Sequence, residues 1–357
     1  MSDFSRGGAG NSISRLCVGL SRKEYKISVI SIGKCFYKKI LKENKVKIFE
    51  IKKEKLIFSI FKLYKLLKKI YIPGVKNILV SNIHYNNIVL TLITKRIYDY
   101  KIILVERTPI EELDIYFSSF DFIKKKIIKF LINIIYPQSD LIVANSIGIK
   151  NGFSNKLQKK INVVYPPAIS QILKIKKKKI LKNSFKAVCF SRLSVEKNLQ
   201  CVINSFKYLK NTNINLTIYG EGKLKKNLNN LINELNLSKK ILIKKYNFEV
   251  QKEIKKYDLL ISPSYFEGCS NSIIEALNHN LYILASDCPG GNSEILYNGK
   301  FGSLFKTNDE LDLSLKLKKI MNNFEYLKTQ SNKNRFTLKR FLLSANIKNF
   351  SKNFEDV

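Results

Sequence analysis

Glu267 and Glu275 stand with seven residues between them in Ser262-Pro-Ser-Tyr-Phe-Glu-Gly-Cys-Ser-Asn-Ser-Ile-Ile-Glu275. The first follows an apolar run, Leu259-Leu-Ile261, that reads as a strand, so it falls in the turn at the strand's end. The second falls inside the helix that begins after it. Between them Gly268, Ser270, Asn271 and Ser272 offer small side chains and backbone N–H groups at a helix N-terminus. Such a terminus carries unpaired donors and partial positive charge, which suits a phosphate. A turn carboxylate is then placed to hold sugar hydroxyls, and a helical one to reach the hydroxyls of a ribose. Two glutamates at one spacing arise often by chance, so the pair gains meaning only from its strand, its loop and its neighbours.

Those neighbours are informative. The run Lys186–Phe190 reads as a strand and leads into Ser191-Arg192-Leu-Ser-Val-Glu-Lys197-Asn198. An arginine and a lysine converging at a strand's C-terminal edge can neutralise a diphosphate, including charge that builds up as a sugar departs. Next, Leu216-Thr-Ile-Tyr-Gly220-Glu-Gly222 is a strand ending in a glycine turn. It lacks the G-K-[ST] of a phosphate-binding P-loop. Further on, Ser286-Asp-Cys-Pro-Gly290-Gly-Asn-Ser-Glu294 follows another strand, and its glycines permit close backbone approach to a ligand.

Positioning these loops takes parallel βαβ units. Short β-branched runs alternate with helix-period stretches throughout the 357 residues. The expected strands are Lys26–Ser31, Val46–Ile51, Asn77–Ser81, Lys101–Val105 and Leu141–Ala144 in the first half. In the second half they are Lys186–Phe190, Asn215–Tyr219, Ile241–Ile243, Leu259–Ser262 and Tyr282–Ala285. A chain of this length exceeds one ordinary core. The break falls near Val164-Tyr-Pro166-Pro167, followed by the lysine-rich run 174–182. The division expected is a domain over residues 1–168, a second over 169–334, and a helix over 335–357 that packs back on the first.

Composition narrows the partners. A net charge of +36 invites a nucleic-acid reading, since basic faces track phosphate backbones. The lysines, however, are spread along the whole chain amid abundant Ile and Asn, and no nucleic-acid-binding motif is evident. Nucleic acid is therefore not the expected partner; an anionic membrane surface is. Six cysteines form no C-x-x-C pair and no framework, which fits a reduced compartment without structural zinc. No apolar run is long enough to span a bilayer, and the N-terminus has no signal-peptide core. Two basic amphipathic segments stand out. In Ile60–Tyr71 the residues Ile60, Leu63, Tyr64, Leu67, Ile70 and Tyr71 share one face, and Lys62, Lys65 and Lys69 the other. Phe120–Ile135 mixes Lys124–Lys126 and Lys129 with a dense apolar set. Both read as helices covering a sheet with lysines outward, or as interfacial membrane helices.

Taken together, the Arg192/Lys197 turn, the Gly220-Glu-Gly222 turn, the Glu267/Glu275 pair and the loop 287–294 resemble, in this order, the retaining nucleotide-sugar-dependent glycosyltransferases of family 4, of the "glycosyl transferases group 1" type. In the first half, Gly7-Gly8-Ala-Gly10 resembles the family's glycine loop, and 139–146 and 164–167 its domain-closing segments. The resemblance implies the GT-B fold, with two Rossmann-like domains facing across a cleft. It implies that Arg192 and Lys197 bind the donor diphosphate, Glu267 the donor sugar and Glu275 the ribose. Gly268, Ser270, Asn271 and Ser272 would lie along the phosphates with Gly220 nearby, and Gly7 and Gly8 would approach from the opposing domain. No metal or other cofactor is implied. Ser191 stands where the family often has glycine, and Asn292 or Ser293 where proline is common. The family also places a strand before the glycine loop, and residues 1–6 leave no room for one, so the first strand is expected to be missing.

The function implied is transfer of a hexose or N-acetylhexosamine from a UDP-sugar to a lipid-linked or oligosaccharide acceptor, in lipopolysaccharide, O-antigen or capsule assembly. The expected location is cytoplasmic, peripheral on the cytoplasmic membrane face. The alternative is a truncated, non-catalytic glycan-assembly protein of the same fold, which would fail to bind UDP. Candidates on the acceptor side are His84, just past a strand end, and Glu106 and Arg107, at another. Their plainer readings are a surface-loop histidine and a surface ion pair. His279, after the Glu275 helix, reads as structural.

Overall fold

The computed structural model describes all residues except 1–6, 53–55, 95, 96, 98, 175–183, 247–252 and 334, and of 56–58 only the backbone. It comprises two compact units, one of Met1–Ser170 with Arg340–Val357, the other of Gln171–Lys339. All but the first residue of the expected linker run 174–182 lies outside the described residues.

The second unit is a six-stranded sheet in the order β12-β11-β10-β7-β8-β9, with every pairing parallel. Its strands are β7 (Phe185–Phe190), β8 (Ile214–Tyr219), β9 (Ile241–Lys244), β10 (Leu259–Ser262), β11 (Tyr282–Ser286) and β12 (Ser303–Phe305). β10 and β11 are buried at every position. That explains why they read as unbroken apolar runs rather than alternating ones: helices cover both faces of a parallel sheet. Ile203, Phe206, Leu216, Ile218, Leu284 and Leu317 anchor a core between sheet and helices. The chain runs from β7 outward to β9, then returns to place β10 on β7's other side. Strand order therefore reverses between β7 and β10. Loops leaving the carboxyl ends of such a strand pair diverge and open a crevice.

The first unit holds a parallel pair, β1 (Ser28–Ile32) with β2 (Lys47–Ile51), and a four-stranded parallel sheet β3-β4-β5-β6. The latter strands are Asn77–Asn82, Tyr100–Glu106, Leu141–Ala144 and Ile161–Val163. The C-terminal helix Leu343–Glu355 packs against Gly8–Ser21: a Cβ on Gly19 would lie 2.2 Å from Ile347 Cδ1. Phe350 and Phe354 join Leu16 and Leu20 in one cluster, and the Tyr25 and Phe354 rings meet edge-on at 5.5 Å.

Every strand expected from the sequence is present, with ends shifted by at most two residues. Two were missed, β6 and β12, both three residues long and too short to show a period. The helix Leu56–Ile70 buries Leu63 and Leu67 and exposes Lys62, Lys65 and Lys69, the plain sheet-covering arrangement.

Candidate functional site

The β7 and β10 loops are tied together where strand order reverses. After β7, Ser191 N donates to Tyr219 O at 3.1 Å and Leu193 N to Glu221 O at 2.9 Å, so the turn leans on the end of β8. Gly220 makes that approach possible, because a Cβ there would stand 2.0 Å from Ser191 O. At Gly222 one would stand 2.3 Å from Leu193 O. The glycines thus serve backbone against backbone, and so fix where Arg192 emerges. A 3₁₀ turn, Val195–Lys197, then ends at Asn198, whose φ of 47° lies in the left-handed region that asparagine tolerates.

From this turn Lys197 reaches across to the β10 loop, where its Nζ lies 2.5 Å from Glu267 Oε1. Ser264 Oγ donates to the same oxygen at 2.8 Å, and Tyr265 N donates to Glu196 O at 3.0 Å. Glu267 is held in turn by the loop after β11: its N donates to Pro289 O at 3.2 Å, and Gly291 N donates to its carbonyl at 3.0 Å. Gly290, at φ 112°, makes that second loop's bend. Asn292 is fully buried and donates to Ser286 O at 3.2 Å and Cys288 Sγ at 3.4 Å, closing the loop without a proline. Burial pushes the Cys288 thiol up to about 12, so it stays protonated beside the site.

Arg192 is the exposed member, at 74% of its side chain, and its guanidinium lies 3.0 Å from Glu196. Glu196 was missed by sequence reasoning; its signal is the i, i+4 spacing from Arg192. Burial alone would raise its carboxyl. The Ser194 hydroxyl, its own backbone N–H, and the charges of Arg192 and Lys197 instead hold it below the ordinary glutamate range. Glu275 is half-buried in the helix Asn271–Asn278, which begins one residue after Ser270. Ser270 does not cap that helix with its side chain; its Oγ lies 3.0 Å from Ser272 Oγ. Gly268 is buried just ahead of it. Two cations, a turn carboxylate and a helix N-terminus thus gather around the strand reversal of one unit. That set can bind a diphosphate and orient a polyhydroxylated group beside it.

Other expected residues lie in the first unit. Gly7 and Gly8 are exposed at the start of Gly8–Ser21, and a Cβ on Gly7 would meet nothing within 4 Å. His84 is not a surface-loop residue: it begins the helix His84–Thr94 and is 1% exposed. Glu106 and Arg107 do not form a surface ion pair. Glu106 is fully buried, with its Oε2 2.8 Å from His84 Nδ1. Its Oε1 accepts from Asn87 Nδ2 at 2.6 Å and from the Tyr136 hydroxyl. Arg107 Nε instead donates to Asn82 Oδ1 at 2.8 Å. A charged group this deep needs such partners. The sequence could not show them, because Asn87 and Tyr136 come from two other elements. Among the described residues no group of three or more His, Cys, Asp or Glu has metal-holding geometry.

With this geometry in hand, likeness to known proteins can be stated. Residues 170–336 match the family "Glycosyl transferases group 1". The chain is 32% identical over 219 residues to the Campylobacter jejuni N-acetylgalactosamine-N,N'-diacetylbacillosaminyl-diphospho-undecaprenol 4-alpha-N-acetylgalactosaminyltransferase, covering 60% of this chain and 59% of that one. It is 29% identical over 151 residues to the Escherichia coli UDP-Gal:alpha-D-GlcNAc-diphosphoundecaprenol alpha-1,3-galactosyltransferase, covering 41% and 39%. The matches thus span less than two thirds of these curated relatives. Among solved structures, Anabaena Alr3699/HepE in complex with UDP and glucose superposes with a TM-score of 0.80 at 14% identity, covering 100% of this chain and 98% of that one. A likeness at that identity shows the fold, GT-B.

Proposed function

We propose that the chain, whose residues 170–336 match the group 1 glycosyl transferases, is a retaining transferase moving a hexose or N-acetylhexosamine from a UDP-sugar. The acceptor is a lipid-linked or surface glycan of lipopolysaccharide, O-antigen or capsule assembly, met at the cytoplasmic membrane face. The observation that carries this reading is the Lys197–Glu267 contact, which joins a phosphate-binding cation to a sugar-binding carboxylate across the β7/β10 reversal. The printed activities of the Campylobacter and Escherichia relatives support a diphospho-lipid acceptor, and the latter's a UDP-sugar donor.

On this reading the donor diphosphate draws Arg192 from Glu196 and Lys197 from Glu267. The freed Glu267 carboxylate accepts from a donor-sugar hydroxyl. Glu275 accepts from the ribose, and the N-terminus of Asn271–Asn278 faces the phosphates. The bond between the sugar's anomeric carbon and the diphosphate oxygen breaks, and its electron pair leaves with the phosphate. Arg192 and Lys197 neutralise that charge. The acceptor hydroxyl forms the new bond on the same face, and its proton passes to the departing phosphate oxygen. No protein nucleophile takes part.

A screen of UDP-, GDP- and ADP-sugars for hydrolysis or transfer tests the reading. Turnover with a UDP-sugar, lost in Arg192→Ala and Lys197→Ala, is expected. Absence of UDP binding would overturn it in favour of a non-catalytic protein of the same fold.

A further inference from the structure

The helix Ser119–Ile135 carries two apolar stripes, and only one of them meets the protein. Ile128, Ile132 and Ile135 are buried against the β3–β6 sheet's cluster, together with the aliphatic stem of Lys125. On the other side Phe120, Ile123, Ile127, Phe130 and Ile134 are 77%, 59%, 54%, 65% and 49% exposed. At about 100° per residue these five fall within an arc of roughly 80°, opposite the buried stripe, along about 20 Å of helix. Solvated helix faces ordinarily carry charge there, and a contiguous uncovered apolar patch marks an interaction surface.

The flanks show what it meets. Exposed Lys124 borders the stripe on one side and exposed Lys126 on the other. The helix holds a single acidic residue, Asp121, and it lies 3.1 Å from Lys125 near the buried side. Apolar centre with cationic margins is the pattern of a helix lying in a lipid interface. The side chains enter the acyl boundary and the lysines meet anionic headgroups. A second copy of the chain fits poorly, because a twofold contact would set these lysine margins against each other, and the chain already carries a charge of +36. The helix is not a membrane span, and no described helix is long and apolar enough to be one.

We propose that the Phe120–Ile134 stripe docks the protein on an anionic bilayer, with the helix parallel to the membrane plane. The sequence allowed this role to two helices. The structure assigns it to this one, since among its described side chains Leu56–Ile70 exposes one large apolar residue, Phe61, against the stripe of five here. The inference deepens the proposed function, resting on it only for why docking serves a lipid-linked acceptor.

The test is co-sedimentation with phosphatidylcholine vesicles, with and without phosphatidylglycerol, across a salt series. The wild type should bind the phosphatidylglycerol vesicles and be released by salt. The double variant Ile127→Asp, Phe130→Asp should bind at least about tenfold more weakly, with an unchanged thermal midpoint. Hydrolysis of a UDP-sugar in solution by that variant should equal the wild type's. Because the vesicles carry no glycan, binding can stand where transfer fails, and the reverse. Equal binding by wild type and double variant, or none by the wild type, overturns the proposal. So does a dimer that the same substitutions dissolve, which would make a second copy the occupant.

Discussion

The Lys197 ammonium and Glu267 Oε1 lie 2.5 Å apart although they come from loops after different strands, β7 and β10. With side chains 18% and 15% exposed, the pair is partly shielded from water, and its attraction is stronger than that of a surface pair. Each group restrains the other. On the proposed function, a diphosphate that takes Lys197 also frees Glu267, which would couple phosphate binding to sugar recognition.

That coupling makes a prediction about the two single variants. Lys197→Ala should lower kcat by about 10²–10³-fold, the usual cost of removing one group aimed at developing charge. Glu267→Gln should lower kcat comparably while leaving UDP affinity at or above the wild-type value, since UDP alone lacks the sugar and Lys197 is no longer held by a carboxylate. Steady-state kinetics beside calorimetric UDP titration separates the two. Equal loss of UDP affinity in both variants would refute the division of roles.

On the proposed function, Glu196, 3.0 Å from the Arg192 guanidinium, competes with the donor for it. Glu196→Gln should therefore tighten UDP binding, by roughly two- to fivefold for a partly exposed pair. Its carboxyl is held below the ordinary range in the folded protein. A depressed acid contributes stability that is present above the unfolded glutamate value, about 4.3, and is lost as pH falls through the lower folded one. The difference in unfolding free energy between wild type and Glu196→Gln should be level at pH 6–7 and shrink below about pH 5. Weaker UDP binding in the variant would show instead that Glu196 holds Arg192 in place.

Glycines expected on the donor side separate into two kinds. Gly220→Ala places a methyl 2.0 Å from Ser191 O, where backbone must shift, and should cost about 1–3 kcal/mol while displacing Arg192. Gly7→Ala meets nothing within 4 Å at an extended φ of 161°, so its fold should be unaffected. Chemical denaturation of both variants is the measurement, and a destabilised Gly7→Ala would contradict this.

The loops at the strand reversal were legible because each follows a strand whose apolar run is unmistakable, and Arg192, Lys197, Glu267 and Glu275 sit at fixed distances from those strand ends. What joins them was not legible. The contacts from Lys197 to Glu267 and from Tyr265 to Glu196 depend on β10 lying beside β7, which brings together residues about seventy apart in sequence. The second apolar stripe of Ser119–Ile135 was hidden for a different reason. A helix apolar on two sides shows a dense set of Ile and Phe with no single phase, so the sequence could not tell which side faces the sheet.

His84 and Glu106 supply the sharpest pH prediction. Burial favours neutral His84, but the Glu106 carboxylate beside it wins, and the imidazole's pKa is raised above 6.5. Among the described residues the hydrogen bonds to Glu106 come from Asn87 and Tyr136, and neither is a cation. Removing the imidazole in His84→Ala leaves a carboxylate at 0% exposure without a charged partner, at a cost of about 3–5 kcal/mol. A group whose folded pKa is raised contributes stability that is complete below its unfolded pKa and is lost as pH rises through the folded one. The destabilisation by His84→Ala should therefore be largest near pH 6 and diminish toward pH 9. Urea denaturation of wild type and variant across that range gives the difference directly. A difference independent of pH would mean that His84 is neutral in the folded protein and acts on Glu106 only as a hydrogen-bond donor.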